Sequence, residues 1–232
     1  MKKNLHIAIV GAGNVATHLG KKLHTKFSKD ISKIDKNADV IILAIKDDAI
    51  VEVAKKLKLN NKIIIHTSGS VGMEVLKRSS VNYGVLYPLQ TFSKKRKIDL
   101  DKVPVCIEGS NKRTEQLLFS LGRSISTNVI RINSKQRKAI HLAAVFANNF
   151  TNHMYAIAED ILKKEKLQFD LLKPLILETA GKVQEMDPSS AQTGPAKRKD
   201  KKIIRQHLKM LSYKKKYRDL YQRISNSIAH SA

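Results

Sequence analysis

The sequence predicts an α/β chain: a doubly wound parallel sheet over residues 1–133, then an all-α region over residues 134–232. Three observations predict it. Short β-branched runs alternate with amphipathic stretches as far as Ile132, which is the pattern of strand–helix–strand units. One run, "ADVIILAI" (38–45), is apolar throughout, as a strand buried on both faces must be. From Asn133 onward only helical periodicities recur.

The elements run in chain order. "LHIAIV" (5–10) reads as a strand, "GAGNVA" (11–16) as a tight turn, and the segment beyond it as a helix with Val15, Leu19 and Leu23 on its apolar side. The polar stretch "FSKDISKIDKN" (27–37) then leaves too little chain for a strand plus a helix. A second strand is therefore expected to be missing, and Asp30 to sit in a solvated loop. "ADVIILAI" is the next strand, and "DDAIVEVAKKLKL" a helix capped by Asp47 or Asp48. "KIIIHTSG" (62–69), "NYGVLYPLQTF" (82–92), "VPVCIEGS" (103–110) and "TNVIRI" (127–132) supply further strands. A short helix near "VGMEVLKRS" and a longer one in "KRTEQLLFSLGRSI" separate some of them. The all-α region opens with one long helix over 134–165, the expected spine of a second domain. "FDLLKPLILETAGKVQEM", "KKIIRQHLKML" and "YKKKYRDLYQRISNSI" read as three more helices, and "DPSSAQTGPAKRKD" as a polar loop between the first two.

Composition narrows the functional classes. At 232 residues and 42% apolar content the chain suits one large domain or two small ones with a substantial core. A single cysteine, Cys106, excludes an internal disulfide and fits a reducing, cytoplasmic setting. No apolar run reaches the roughly 18 residues of a membrane span, so a soluble protein without membrane attachment is expected. The net charge of +24 raises the question of nucleic acid. Its 34 lysines against 10 arginines, spread along the whole chain, point instead to solvated faces, because arginine is the residue favoured for bidentate phosphate and base contacts. The histidines show no ligand spacing, so no metal site is expected.

The strand ends carry the chemistry. Gly11, Gly13 and Ala16 fit the G-x-G-x-x-A pattern in which the first glycine allows a sharp turn and the second lets backbone approach a pyrophosphate. Asn14 and Val15 open the helix whose free N–H groups would hold the phosphates. Ligands of open α/β sheets bind beyond the C-terminal ends of strands, which adds Ala44, Ile45 and Lys46 after one strand and His66, Thr67 and Ser68 after the next. His66 is a candidate proton donor, a structural hydrogen-bonded role being the equal alternative. Thr67 and Ser68 either cap the next helix or touch substrate. Tyr87, Pro88 and Gln90 stand where they can wall a pocket. On the long helix, His141, Asn148 and Asn152 fall within about 40° of one line at 3.6 residues per turn, with Asn149 and His153 alongside. His66, His141 and Asn148 are the candidate catalytic residues. The competing reading has the polar residues of this helix satisfying one another across a dimer interface.

"GAGNVATHL", "ADVIILAIKDDAI", "HTSGSVGMEVL", "YPLQTFSK", "HLAAVFANNFTNHMYAIAEDIL" and "QTGPAKRKD" together resemble a bacterial family with a Rossmann-like NADP-binding domain followed by a helical domain of unknown function. That family is related to pyrroline-5-carboxylate reductase, ketopantoate reductase and the deazaflavin-linked NADP oxidoreductases. The resemblance implies an oxidoreductase that uses NADP (NAD being the alternative) to reduce a small carbonyl or imine substrate. It also implies a homodimer formed through the helical domain, and a "QTGPAKRKD" loop that reaches an active site. The family pattern there is nearer "GPAxRGD", so Lys199 replaces a glycine. The shortened segment after the first helix departs from the family, and supports a rival reading: a catalytically eroded, dimeric binding or regulatory protein that keeps the fold.

Overall fold

The computed structural model describes residues 5–35 and 37–230. The chain divides into two compact units between Phe150 and Thr151. The first unit holds a seven-stranded sheet among the described residues: β1 (Ile7–Val10), β2 (Phe27–Ser28), β3 (Val40–Leu43), β4 (Ile63–His66), β5 (Asn82–Pro88), β6 (Val105–Gly109) and β7 (Val129–Arg131), in spatial order 2-1-3-4-5-6-7. The α/β, Rossmann-like class expected from the alternating pattern is the one found.

β3 explains why the sheet is covered on both faces. Its even-numbered residues Val40 and Ile42 join Ile9, Ile65, Leu86 and Ile107 beneath Leu19 of α1 (Asn14–Lys22) and Leu118, Leu121 and Ile125 of α3 (Lys112–Ile125). Its odd-numbered residues Ile41 and Leu43 pack with Val10, Ile64 and Leu76 beneath Ile50 and Ala54 of α2 (Asp47–Lys56). Successive side chains of a strand point to opposite faces, so an uninterrupted apolar run is needed to fill both layers.

Three expectations are corrected. The second strand is present, as a two-residue stub paired parallel to β1 through Ile9↔Phe27 and Val10↔Ser28. What has been lost is the helix after it. One 3-10 turn, Ile31–Lys33, stands in its place, with the Asp30 carboxylate accepting from the Ser32 amide at 2.9 Å. Two residues suffice because the Ser28 carbonyl accepts from the Gly11 N–H at 2.7 Å, while Gly20 leaves room for the Phe27 ring. The sheet is also not wholly parallel: β6 runs antiparallel to β5, since the link from Leu89 to Pro104 returns without a crossover helix. Lastly, the long helix is broken. α4 (Ser134–Ala144) passes into a π-helical turn, Val145–Phe150, before α5 (Thr151–Lys164). Two smaller readings also shift, as α2 has Lys46 rather than an aspartate at its cap, and a 3-10 turn replaces the short helix at Met73–Leu76.

The second unit is helical, with α5, α6 (Lys173–Glu185), α7 (Pro188–Ala191), α8 (Lys201–Met210) and α9 (Lys215–His230). Ile157, Ile161, Leu220 and Ile224 line an apolar cavity of about 240 Å³ inside it. The His207 Nδ1–Tyr221 hydroxyl hydrogen bond of 2.8 Å ties α8 to α9, and a Lys214–Asp160 ion pair ties α5 to the start of α9. In the loop before α8, Gly194 (φ +102°) and Lys199 (φ +56°) both adopt left-handed backbone, and the Asp200 carboxylate caps α8 by accepting from the Ile203 amide at 3.1 Å. None of the described helices is long and apolar enough to cross a membrane.

Candidate active site

The turn between β1 and α1 is built on two glycines with different duties. Gly11 has φ +127°, and a Cβ there would lie 2.1 Å from the Ala44 carbonyl oxygen, so this residue brings the ends of β1 and β3 together. Gly13, the residue before α1, has an ordinary φ of −77°, and a Cβ there would meet nothing within 4 Å. Its bareness serves no packing need inside the chain. The first turn of α1 has neither an acidic residue nor a side-chain cap. Four amide N–H groups at a helix start lack intrahelical acceptors, and the helix dipole adds positive potential there. The Asn14 side chain donates from Nδ2 to the Phe92 carbonyl at 2.7 Å, and the His18 ring lies 3.0 Å from the Ser93 carbonyl, so α1 is laced to the loop after β5.

At the end of β3, Ala44 is buried against Gly11, Ile45 is half-buried, and Lys46 is exposed. At the end of β4, His66 is fully buried. Its Nδ1 accepts from the Ser68 amide at 3.2 Å, which leaves Nε2–H to donate to the Gly72 carbonyl at 3.4 Å. Burial, with the nearby Arg137 cation adding to it, pushes its pKa down to about 4. Ser68 closes its own turn rather than capping the helical turn at Met73–Leu76, whose cap is Gly72: its hydroxyl accepts from the amides of Ser70 (3.1 Å) and Val71 (3.0 Å).

A pocket of about 640 Å³ opens beyond the ends of β4 and β5. It is lined by Val15, Thr67, Tyr87 and Phe92 together with His141 and Asn148. The Tyr87 hydroxyl lies 3.0 Å from His141 Nδ1, and the two rings meet edge to face at 5.8 Å. Burial raises the pKa of the Tyr87 phenol, with the Cys106 thiol and the Asp47 carboxylate adding to the effect. On its other side the His141 ring rests on backbone. A Cβ on Gly69 would fall 2.6 Å from it, so only glycine lets the loop after β4 pass there.

One turn before His141, Arg137 is fully buried and anchors α4 to the sheet. Its guanidinium donates to the Glu108 carboxylate and to the Val71 carbonyl, and the Ser134 amide and hydroxyl donate to the same carboxylate at 2.7 and 2.8 Å. Among the described residues, Arg137 Nε is the buried side-chain atom without a hydrogen-bond partner. A capping box between Asn133 and Gln136 starts the helix.

The structure therefore brings together Val15, Thr67, His141 and Asn148 of the predicted residues, and adds Asn149 to the lining. It does not bring His66 to the pocket surface, nor Ser68, whose hydroxyl is used within its own turn. Gly11, Gly13, Asn14 and Ala16 form the turn and the first helical turn as expected, with Ala16 of α1 fully buried against the sheet. Asn152 lies on α5, in the second unit. Sequence reasoning placed Tyr87 only as a pocket wall and missed its pairing with His141. It also missed Glu108 and Arg137, for which the visible signal was an arginine one helical turn before a candidate histidine. No cluster of three or more potential metal ligands exists among the described residues.

Residues 103–228 match the family model described as "Domain of unknown function (DUF2520)". Among solved structures, a "putative NADP oxidoreductase" from Bacteroides fragilis shares 37% identity, with 97% of this chain and 98% of that chain covered and a TM-score of 0.91. A protein from Thermotoga maritima shares 23% identity over 97% of this chain and 98% of that one, with a TM-score of 0.77. A reductive aminase from Aspergillus terreus, solved with NADPH and ethyl levulinate, shares the fold at 12% identity, over 95% of this chain and 93% of that one, with a TM-score of 0.66. No curated protein matches the chain.

Proposed function

The chain belongs to the DUF2520 family, and from that premise we propose that it is an NADP(H)-dependent oxidoreductase acting on a small carbonyl or imine substrate. The observation that carries this reading is the bare Gly13 at an uncapped helix start, next to a pocket that holds a tyrosine–histidine pair. The residues present fit the cofactor. A side chain on Gly13 would occupy open space in front of the free amides, where a pyrophosphate needs to come close. The loop after the β2 stub carries the exposed Lys29, and the Asp30 carboxylate is turned into its own 3-10 turn, an arrangement that favours a ribose 2′-phosphate over a bare ribose.

NADPH, when bound, supplies a hydride. The chain's own residues do the rest: the amides of the α1 turn hold phosphate, Val15 and Phe92 exclude water, and Tyr87, His141 and Thr67 present hydrogen-bonding groups to the substrate. His66, buried and neutral, braces the loop that carries Gly69 rather than exchanging protons with substrate.

We also propose a homodimer through the helical unit. α6 has no buried residue, and Leu175, Leu177, Val183 and Met186 on and beside it are exposed. An apolar helix with so much open surface needs a covering partner. Light scattering after size exclusion tests this, and a monomer at micromolar concentration refutes it.

Titration of the protein into NADPH and NADH, read by nicotinamide fluorescence, tests the function; the chain has no tryptophan to interfere. Tight NADPH and weaker NADH binding is the expected outcome. Binding of neither at millimolar concentration returns the protein to the class of eroded, non-catalytic relatives.

A further inference from the structure

The pocket's lining shows which of the two substrate classes it suits. Among the described residues around it, none is Asp, Glu, Lys or Arg, in a chain that carries 44 basic and 20 acidic residues. Its polar groups are hydroxyl, imidazole and amide, set among Val15, Leu89, Phe92, Ile140 and alanines. A protonated imine is a cation, which a low-dielectric pocket without a carboxylate disfavours. It also carries its proton already and needs no donor. An uncharged carbonyl has the opposite needs: a hydrogen bond to its oxygen, and one proton as the C–O π bond breaks.

We propose that the substrate is an uncharged ketone or aldehyde, and that Tyr87 is the residue that protonates its oxygen, with His141 behind it. The assignment rests on the proposed reductase function and deepens it. Hydride adds to the carbonyl carbon, the π pair moves onto oxygen, and the Tyr87 O–H proton passes to that oxygen to give the alcohol. In the tautomer with Nδ1–H, 3.0 Å from the phenol oxygen, His141 returns a proton to the tyrosinate as its Nε2 takes one from solvent, so the imidazole stays neutral and one solvent proton is consumed per turnover. One reduced nicotinamide is oxidised and one carbonyl is reduced. The geometry behind the pair is built rather than incidental. Gly69 clears space for the imidazole, and the buried Arg137 fixes α4 one turn away. The group in contact with the phenol is the His141 imidazole from α4; the Cys106 thiol of β6 and the exposed Asp47 carboxylate of α2, which accepts from the Ser70 hydroxyl outside the pocket lining, act on it through space. Burial, with those two groups adding to it, keeps Tyr87 a protonated phenol, hence a donor rather than a base, through neutral pH.

The test takes the full-length protein with NADPH and two kinds of probe. One is a series of uncharged ketones from acetone to acetophenone; the other is the 1-methyl-1-pyrrolinium ion, whose reduction consumes a hydride and no proton. The parent is expected to reduce a ketone in preference to the iminium, with a solvent deuterium isotope effect. Tyr87→Phe is expected to bind NADPH within about twofold of the parent and to lose about 100-fold in kcat on the ketone, the usual size of a lost general acid. Its loss on the iminium, which needs no proton, should be at least tenfold smaller than its loss on the ketone. Preference for the iminium, or equal losses on both probes, overturns the assignment. So does NADPH binding with no reduction of any ketone, which leaves the cofactor reading standing. Failure of the parent to bind NADPH overturns both.

Discussion

Alanine at Gly11 and alanine at Gly13 separate the structural duty of the first turn from its binding duty. At Gly11 the new Cβ falls 2.1 Å from the Ala44 carbonyl oxygen, where real Cβ contacts are essentially never under 3.0 Å. The carbonyl cannot retreat cheaply, because the Ala44 amide is held by the Val10 carbonyl at 2.8 Å. A φ of +127° adds about 1–3 kcal/mol of backbone strain for any L residue. Taken with the displaced β1–β3 contact, Gly11→Ala should cost about 3–5 kcal/mol. At roughly 2–4 °C per kcal/mol for a chain of this size, the melting temperature should fall by about 10 °C. Gly13→Ala meets open space at an ordinary φ and gives up only the better capping propensity of glycine, about 0.5–1 kcal/mol, so its melting temperature should fall by no more than about 3 °C. Its NADPH affinity should nevertheless fall about tenfold or more, roughly 1.4 kcal/mol, because the methyl stands where the phosphates must approach. Thermal melts by circular dichroism and fluorescence titration read the two effects. Parent-like NADPH binding by Gly13→Ala would refute the assignment of the turn.

The buried charges and the strained backbone give further expected outcomes. Arg137→Met leaves the Glu108 carboxylate buried without its cation and should destabilise the protein by about 3–5 kcal/mol in urea denaturation; adding Glu108→Gln should recover part of the loss. His66 titrates near 4 in the fold against about 6.5 when unfolded, so the unfolded chain takes up a proton that the folded one refuses. Its contribution is whole above pH 6.5 and drains away as pH falls toward 4, about 3 kcal/mol in all; His66→Asn should flatten that limb of the stability–pH profile. Lys199→Gly places a glycine at a φ of +56° and should raise the melting temperature by a degree or two, since only strain is removed. A lower melting temperature for that variant would mean that the lysine side chain itself is needed.

How much of this was legible in the sequence differed by the range of the interaction. β3 and the glycine turn were readable because each is a local rule: an uninterrupted β-branched run, and a spacing of small residues after a strand. The β2 stub was not readable, because Phe27–Ser28 has no alternation of its own. It is a strand only because β1 offers it an edge and Gly20 clears room for the phenylalanine. The same holds for the Tyr87–His141 pair, whose members are 54 residues apart and meet only through the strand order. His66 drew attention as a histidine at a strand end. That position is correct, but its hydrogen bonds turn inward to Ser68 and Gly72, a direction no residue spacing encodes. The predicted alignment of His141 with Asn148 assumed a uniform helix, whereas the π turn begins between them.

That turn bears on how the site can change over evolutionary time. A π-helical turn is in effect an α-helix with one residue inserted. Because the widened turn already absorbs that residue, deleting one codon between Val145 and Ala147 would relax it to regular α-helix while leaving the helical phase on either side nearly unchanged. The pocket wall can thus lose one residue of backbone, with no substitution in the sheet, opposite an unchanged Tyr87–His141 pair. The turn is a place where the length of the wall can change without turning its polar groups away.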